Sequence, residues 1–316
     1  MSGPKGPKVV ALGGGHGLAA SLQALTRVTD DLTAVVTVAD DGGSSGRLRD
    51  ELGALPPGDL RMALAALVGD DERSRTWGRL LQHRFQGTGA LAGHAVGNLI
   101  LTGLCEMTSG VVESLDLVGL LVGARGRVLP ASTVPLQIVA QVVGLNPSDP
   151  WLVSEVVGQV AVATTPGSVC ALRLEPENPP ACAEAVAAVL AADFVVLGPG
   201  SWFTSVLTHL LVPDIREALT KTAAQKVLAL NLAPQAGETD GFSPENHIEV
   251  LATHAPELVL DVVLADRDAV LDSRGLMSAV ESAGGRLVLA PVALGDGTPR
   301  HDPERLAAAF ASIMNA

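Results

Sequence analysis

Residues 8–41, KVVALGGGHGLAASLQALTRVTDDLTAVVTVADD, decide the fold. KVVAL is a short apolar run that ends in Gly13-Gly14-Gly15-His16-Gly17. LAASLQALTRV follows, with apolar residues at helical spacing. LTAVVTV (32–38) is β-branched and bounded by turn residues, which predicts a second strand. Strand, helix and strand in that order make a parallel βαβ unit.

The same alternation returns from about residue 184. EAVAAVLAA predicts a helix and DFVVLG a strand. Gly198-Pro199-Gly200-Ser201 then turns the chain into a further helix. KVLALNL (226–232), ELVLDVVLAD (257–266) and GRLVLAPV (285–292) read as strands. The last helix starts at Asp302 as N-cap, with Pro303 at its first position and Glu304 in its first turn. Between the two ends, residues 50–127 read as mostly helical, with loops at LPPGDLR (55–61) and FQGTGALAGHAVGN (85–98). NLILTGLC (98–105) continues as a buried helix, and residues 128–175 hold short Val-rich strands. The prediction is an α/β, Rossmann-like three-layer sandwich with a mostly parallel sheet and a helical excursion in the middle. Residues 1–7 are expected to be a flexible N-terminus and residues 8–316 a single domain.

Composition narrows the function. Of 316 residues, 47% are hydrophobic but only 3% aromatic, and Tyr is absent, so the core must be aliphatic. The formal net charge of -13 argues against broad nucleic-acid or anionic-membrane binding, which needs a basic face. A small phosphorylated ligand stays possible, because a few Arg residues and backbone N–H groups suffice to hold it. Cys105, Cys170 and Cys182 lie far apart with no CxxC pattern and read as reduced structural residues of a cytoplasmic protein. MSGPKGPK lacks an apolar signal core, and the charge-free stretch 128–145 carries Pro130 and Pro135, so no membrane span is expected.

Five segments are candidate chemistry, four of them loops at strand ends. Gly13, Gly14, Gly15, His16 and Gly17 would let the backbone approach a phosphate at a helix N-terminus. The fingerprint is partial, since its sixth position is Leu18, and a plain strand–helix turn reads the same. Asp40 stands after strand two, where dinucleotide folds place the acid that binds ribose hydroxyls. Asp41 beside it should diverge, one carboxylate facing a ligand and the other capping the loop or holding a cation. Gly42, Gly43, Ser44 and Ser45 add small donors, although a solvated Asx-turn fits too. In Gly93-His94-Ala95-Val96-Gly97-Asn98, His94 and Asn98 would share a helix face and orient a ligand, or else His94 caps the helix and Asn98 satisfies backbone. Gly198, Gly200 and Ser201 suit a second phosphate, and the Pro234–Gly241 loop also follows a strand. In a parallel sheet these loops converge on one edge. There is no zinc spacing, nucleophile elbow or Walker lysine. His209, His247, His254 and His301 read as structural or surface residues.

Together GGGHG (13–17), VTVADDGGSSGRLR (36–49), PPGDLR (56–61), GHAVGN (93–98), LGPGSWFTS (197–205) and QAGETDGFSPENH (235–247) resemble the YvcK-type gluconeogenesis factors of the CofD-like superfamily. The resemblance runs from about residue 8 to the C-terminus. It implies a cytoplasmic Rossmann-like protein that binds UDP-sugars, notably UDP-N-acetylglucosamine. It also implies links to cell shape, peptidoglycan synthesis and gluconeogenic growth, a cell-wall or regulatory protein partner, and a homodimer. The superfamily relative 2-phospho-L-lactate transferase uses magnesium, which raises an alternative: a phospho-group transferase with Mg²⁺ held by Asp40 or Asp41. The chain departs from the family pattern at His16, at Trp202-Phe203 and over Asn231–Gln235. A dinucleotide oxidoreductase is the weaker third reading, since no proton-transfer pair stands out.

Overall fold

The computed structural model describes residues 6–235 and 237–316. Chain order opens with β1 (Lys8–Gly13), α1 (Gly15–Leu25) and β2 (Asp31–Val36). The helical excursion follows as α2 (Gly43–Leu52), α3 (Gly58–Ala66), α4 (Glu72–Gln82), α5 (Val96–Met107) and α6 (Val111–Leu121). The middle holds β3 (Arg127–Pro130), β4 (Gln137–Val143), β5 (Ser154–Val157), α7 (Gln159–Ala163) and β6 (Ser168–Glu175). Alternation resumes with α8 (Ala183–Leu190), β7 (Phe194–Leu197), a π-helical turn at Trp202–Val206 running into α9 (Leu207–Leu210), α10 (Pro213–Lys221) and β8 (Gln225–Ala229). It ends with α11 (Pro244–His254), β9 (Val262–Asp266), α12 (Ser273–Ser282), β10 (Arg286–Ala290) and α13 (Pro303–Met314).

Seven strands form one wholly parallel sheet in the order β10-β9-β8-β7-β1-β2-β3. From β1 the chain first steps outward to β2 and β3, then returns to β7 on the other side and steps away to β10. The reversal makes the C-terminal ends of β1 and β7 a topological switch point, where open α/β sheets bind ligands. Central strands are apolar on both faces because helices cover both: residues 9–13 of β1 and 195–197 of β7 are buried. α1 packs on α3 and α13, and α8 on α10. Leu12, Leu18, Leu22 and Leu60 fill the interior around Trp202 and Phe310, so the core is mostly aliphatic, in line with the composition.

The structure refines the sequence reading at three points. The Val-rich middle is not part of the large sheet beyond β3; β5-β4-β6 form a separate three-stranded antiparallel sheet. ELVLDVVLAD becomes a strand only from Val262, because the preceding residues turn. The helix after Ser201 opens as a π-helical turn, in which Ser205 and Val206 both donate to Ser201 O. The expected flexible lead falls outside the described residues for 1–5. Pro7 is tied down, its carbonyl accepting from Thr29 Oγ1 at 2.5 Å. Asp302 caps α13 as expected, accepting from the N–H groups of Glu304 and Arg305.

Candidate functional site: a crevice at the switch point

The four predicted loops do meet. α1 begins at Gly15 with Gly14 as an N-cap that offers no side chain to its first N–H groups, of which the Gly15 N–H meets Asp59. α2 starts on Gly42 and α3 on Pro57, again without side-chain caps. These three N-terminal turns approach one another because the facing positions are glycine. A Cβ at Gly14 would lie 2.5 Å from Asp59 Oδ2 and 2.7 Å from Thr37 Cγ2. A Cβ at Gly58 would collide with Asp40 Oδ2 and Ser45 Oγ. Three uncapped helix ends carry partial positive charge into one crevice, which favours an anion.

Two carboxylates sit in that field. Asp40 accepts from Gly42 N through Oδ1 at 2.9 Å, which leaves Oδ2 beside Gly58 at the start of α3. Asp59, in the first turn of α3, is buried, and its Oδ2 has no hydrogen-bond partner. Burial, aided by the nearby Asp40 charge and opposed by the Gly15 N–H, pushes the Asp59 carboxyl up to about 7. Asp41 diverges, as expected for adjacent residues. Its Oδ1 accepts from Val160 N at 3.0 Å, and its Oδ2 crowds Gly158, so it pins the start of α7 against the loop. Of the two adjacent acids, Asp40 faces the crevice.

Ser44, His94 and Asn98 come together, but not by helical spacing. α5 starts at Val96, so His94 precedes the helix whose face it was expected to share. The junction is Ser44: its Oγ lies 2.9 Å from His94 Nδ1 and accepts from Asn98 Nδ2 at 3.0 Å. Asn98 Oδ1 accepts in turn from Arg61 Nε at 2.8 Å. All four are buried, so this chain ties α2, α3 and α5 together beneath the crevice. Gly97 permits it, since a Cβ there would lie 2.9 Å from Arg61 Cγ and Cδ. Burial lowers the Arg61 guanidinium to about 10, where it stays cationic, and its Nη1 has no partner.

The other wall is the β7 turn. Gly198 (φ 71°) and Gly200 (φ 152°) take left-handed conformations that favour glycine. Asn231, at the end of β8, clamps Gly200 by accepting from its N–H at 2.9 Å and donating to its carbonyl at 2.8 Å. Ser201 and Thr204 both hydrogen-bond Glu238 Oε1, the latter at 2.9 Å, while the buried Glu238 Oε2 has no partner. Gly13 and Gly17 complete the floor, Gly17 lying directly against Pro199 and Gly200. His16 is exposed at the start of α1, and Gly43 (φ 48°) and Ser45 form the first turn of α2. His209 is structural, fully buried between the Ser205 and Val35 carbonyls.

Among the described residues no group of three or more metal-ligating side chains occurs. Mg²⁺ needs only one or two carboxylates when substrate phosphates supply the rest. Asp40 and the unpartnered Asp59 oxygen would supply such a pair.

The sequence reading named Asp40 and the glycines. It passed over Asp59 and Arg61, although an acid and a base two residues apart at a Pro-Gly helix start was the available signal. Glu238 falls in the Pro234–Gly241 candidate loop and Asn231 just before it, but their roles are not legible in sequence because their partners are 37 and 31 residues away.

A family model described as 2-phospho-L-lactate transferase CofD matches residues 9–283 of this chain. The chain belongs to the CofD family. A "Putative gluconeogenesis factor" of Mycobacterium tuberculosis is 53% identical over 309 residues, 96% of this chain and 90% of that protein. A "Gluconeogenesis factor" of Listeria monocytogenes is 35% identical over 319 residues, 98% of this chain and 96% of that protein. The crystal structure of a UPF0052-family protein from Bacillus halodurans superposes with a TM-score of 0.86 at 32% identity, covering 98% of this chain and 99% of that one. This CofD-family chain thus shares its Rossmann-like fold with a solved relative along almost its whole length. No described helix is long and apolar enough to cross a membrane.

Proposed function

We propose that this CofD-family protein binds a UDP-sugar, UDP-N-acetylglucosamine foremost, in the switch-point crevice and acts as a regulator. The regulated processes are gluconeogenic growth, cell shape and peptidoglycan synthesis, through a cell-wall or regulatory protein partner. The names of the mycobacterial and Listeria relatives support the gluconeogenic part. One observation carries the ligand reading: the uncapped N-termini of α1, α2 and α3 and the Gly198–Ser201 turn surround one crevice. That is a setting for a diphosphate. In this reading the ligand bridges Asp40 and the α7 segment held by Asp41, so binding is felt at the small antiparallel sheet.

Calorimetric titration with UDP-N-acetylglucosamine, with and without Mg²⁺ and against GDP and NAD, tests this. Micromolar affinity, about -8 kcal/mol, with preference for the UDP-sugar is expected. Absence of any nucleotide binding ends the reading.

The buried Asp59 oxygen favours a second reading, a magnesium-dependent transfer of a phospho-linked group. Asp40 and Asp59 would repel a bare diphosphate, and Mg²⁺ between them would neutralise the leaving group. Turnover of a nucleotide donor with Mg²⁺ separates the two readings. In either, Asp40→Asn abolishes the magnesium-dependent part of binding. Asp41→Asn keeps most of it, because Asp41 is spent on Val160 N. Equal losses in both variants would show that the two carboxylates are not divided as described.

A further inference from the structure

A second cavity, of about 360 Å³, lies at the C-terminal ends of β8 and β9 beside the crevice. Its size falls within the roughly 300–1,000 Å³ range of ligand pockets. Leu232, Pro234, Phe242 and Leu271 make its walls apolar. Leu271 is 99% exposed, an uncovered leucine at the rim. Asn231 joins the cavity to the crevice, since it lines the one and clamps Gly200 of the other.

The polar groups of the wall are mostly spent. Asn231 holds Gly200, Asp272 caps α12, and Ser243 forms a reciprocal capping box with Asn246. His247 is the buried exception. It is 95% buried, lines the cavity, and packs edge-on against Trp202 and Phe242. Its Nδ1 lies 3.0 Å from the Ser243 carbonyl, which can only accept, so Nδ1 carries the proton. Burial keeps the ring neutral. Nε2 is therefore a lone-pair acceptor, and it has no partner. An unmet buried acceptor asks for a donor from a ligand.

The carboxylates of Glu245 and Asp272 on the wall repel phosphate. A flat ring with one in-plane N–H fits the buried imidazole acceptor between the apolar walls.

We propose that this cavity is the base subsite, and that His247 Nε2 accepts the ring N–H of uracil or guanine, discriminating against cytosine, which has none. The inference rests on the nucleotide-binding reading above. The phosphates then lie on the glycine loops, and the group beyond them faces Asp40 and Asp59.

The test is calorimetry of the full chain with UDP, GDP, CDP and inorganic pyrophosphate, all with Mg²⁺. The variants are His247→Phe, which keeps the aromatic packing, and Ala233→Trp, which fills the cavity from an exposed wall position. The wild type is expected to prefer UDP or GDP over CDP by at least tenfold, and the stronger of the two identifies the base. His247→Phe erases that preference. Ala233→Trp weakens the preferred nucleotide at least tenfold, and both variants bind pyrophosphate as the wild type does. Variants that bind the preferred nucleotide like wild type place the base elsewhere and overturn the subsite, while the nucleotide-binding reading stands. A wild type that binds none of the nucleotides fails at the first titration and removes that reading, and the subsite with it.

Discussion

Asp59→Asn should make the protein more stable above neutral pH while stripping magnesium-dependent binding from the crevice. The Asp59 carboxyl rises from 3.8 to about 7 in the folded chain, with burial the main cause. An acid whose folded value is raised contributes most below its unfolded value, here below pH 3.8. That contribution is lost as pH climbs and is gone above about 7, where a charge sits in a buried place. A shift of that size corresponds to about 4 kcal/mol. Asparagine keeps the shape and cannot ionise, so its stability lacks this slope. Urea unfolding at pH 5 and pH 8 reads the effect: the variant's advantage should grow by about 2–3 kcal/mol between them. Parallel pH profiles for the two proteins would mean that Asp59 is not strained. A carboxylate retained at such a cost is expected to be relieved by a cation, so Mg²⁺ should stabilise the wild type and not the variant.

What the sequence revealed, and what it hid, follows from the range of each interaction. Local signals were sufficient for the βαβ start, because Val9–Leu12, the glycine turn and the Leu18–Leu25 helix each carry their own periodicity. Strand order then placed the loops after β1, β2, β7 and β8 side by side, which is why separate glycine turns became one crevice. The divergence of Asp40 and Asp41 was legible from adjacency, but the direction of each was not, since Val160 lies 119 residues away. His94 and Asn98 were paired for the wrong reason. Their spacing suggested a helical face, whereas Ser44, 50 and 54 residues distant, joins them. The short Val-rich runs around 137–175 showed strands without showing partners, because period-two patterning does not say which sheet a strand joins. Asp59 hid in a turn-like PPGDLR; its burial comes from α1 closing over it at Gly14, a contact local sequence does not encode.

Gly17→Ala should lower stability by about 2 kcal/mol even though alanine is the better helix former by about 1 kcal/mol. Gly17 lies in α1, and its Cβ would run into the Pro199 carbonyl oxygen and come within 2.7 Å of Gly200 Cα. The obstacle is backbone, and that backbone cannot retreat. Gly198 N donates to Leu12 O at 3.2 Å, Ser21 Oγ donates to Gly198 O at 2.9 Å, and Asn231 grips Gly200 from the far side. The helix must therefore move off the turn, which widens the crevice between the β1 and β7 loops. Nucleotide affinity should fall by more than tenfold, since both proposed phosphate loops shift together. Gly103→Ala is the matched control. Gly103 is also helical, has no atom within 4 Å of its would-be Cβ, and shows no left-handed φ. It should gain up to about 1 kcal/mol from propensity alone and leave binding unchanged. Thermal melts of the two alanine variants, with and without UDP-N-acetylglucosamine, separate the effects. If both variants are stabilised alike, α1 does not bear on the β7 turn, and the close approach that defines the crevice is wrong.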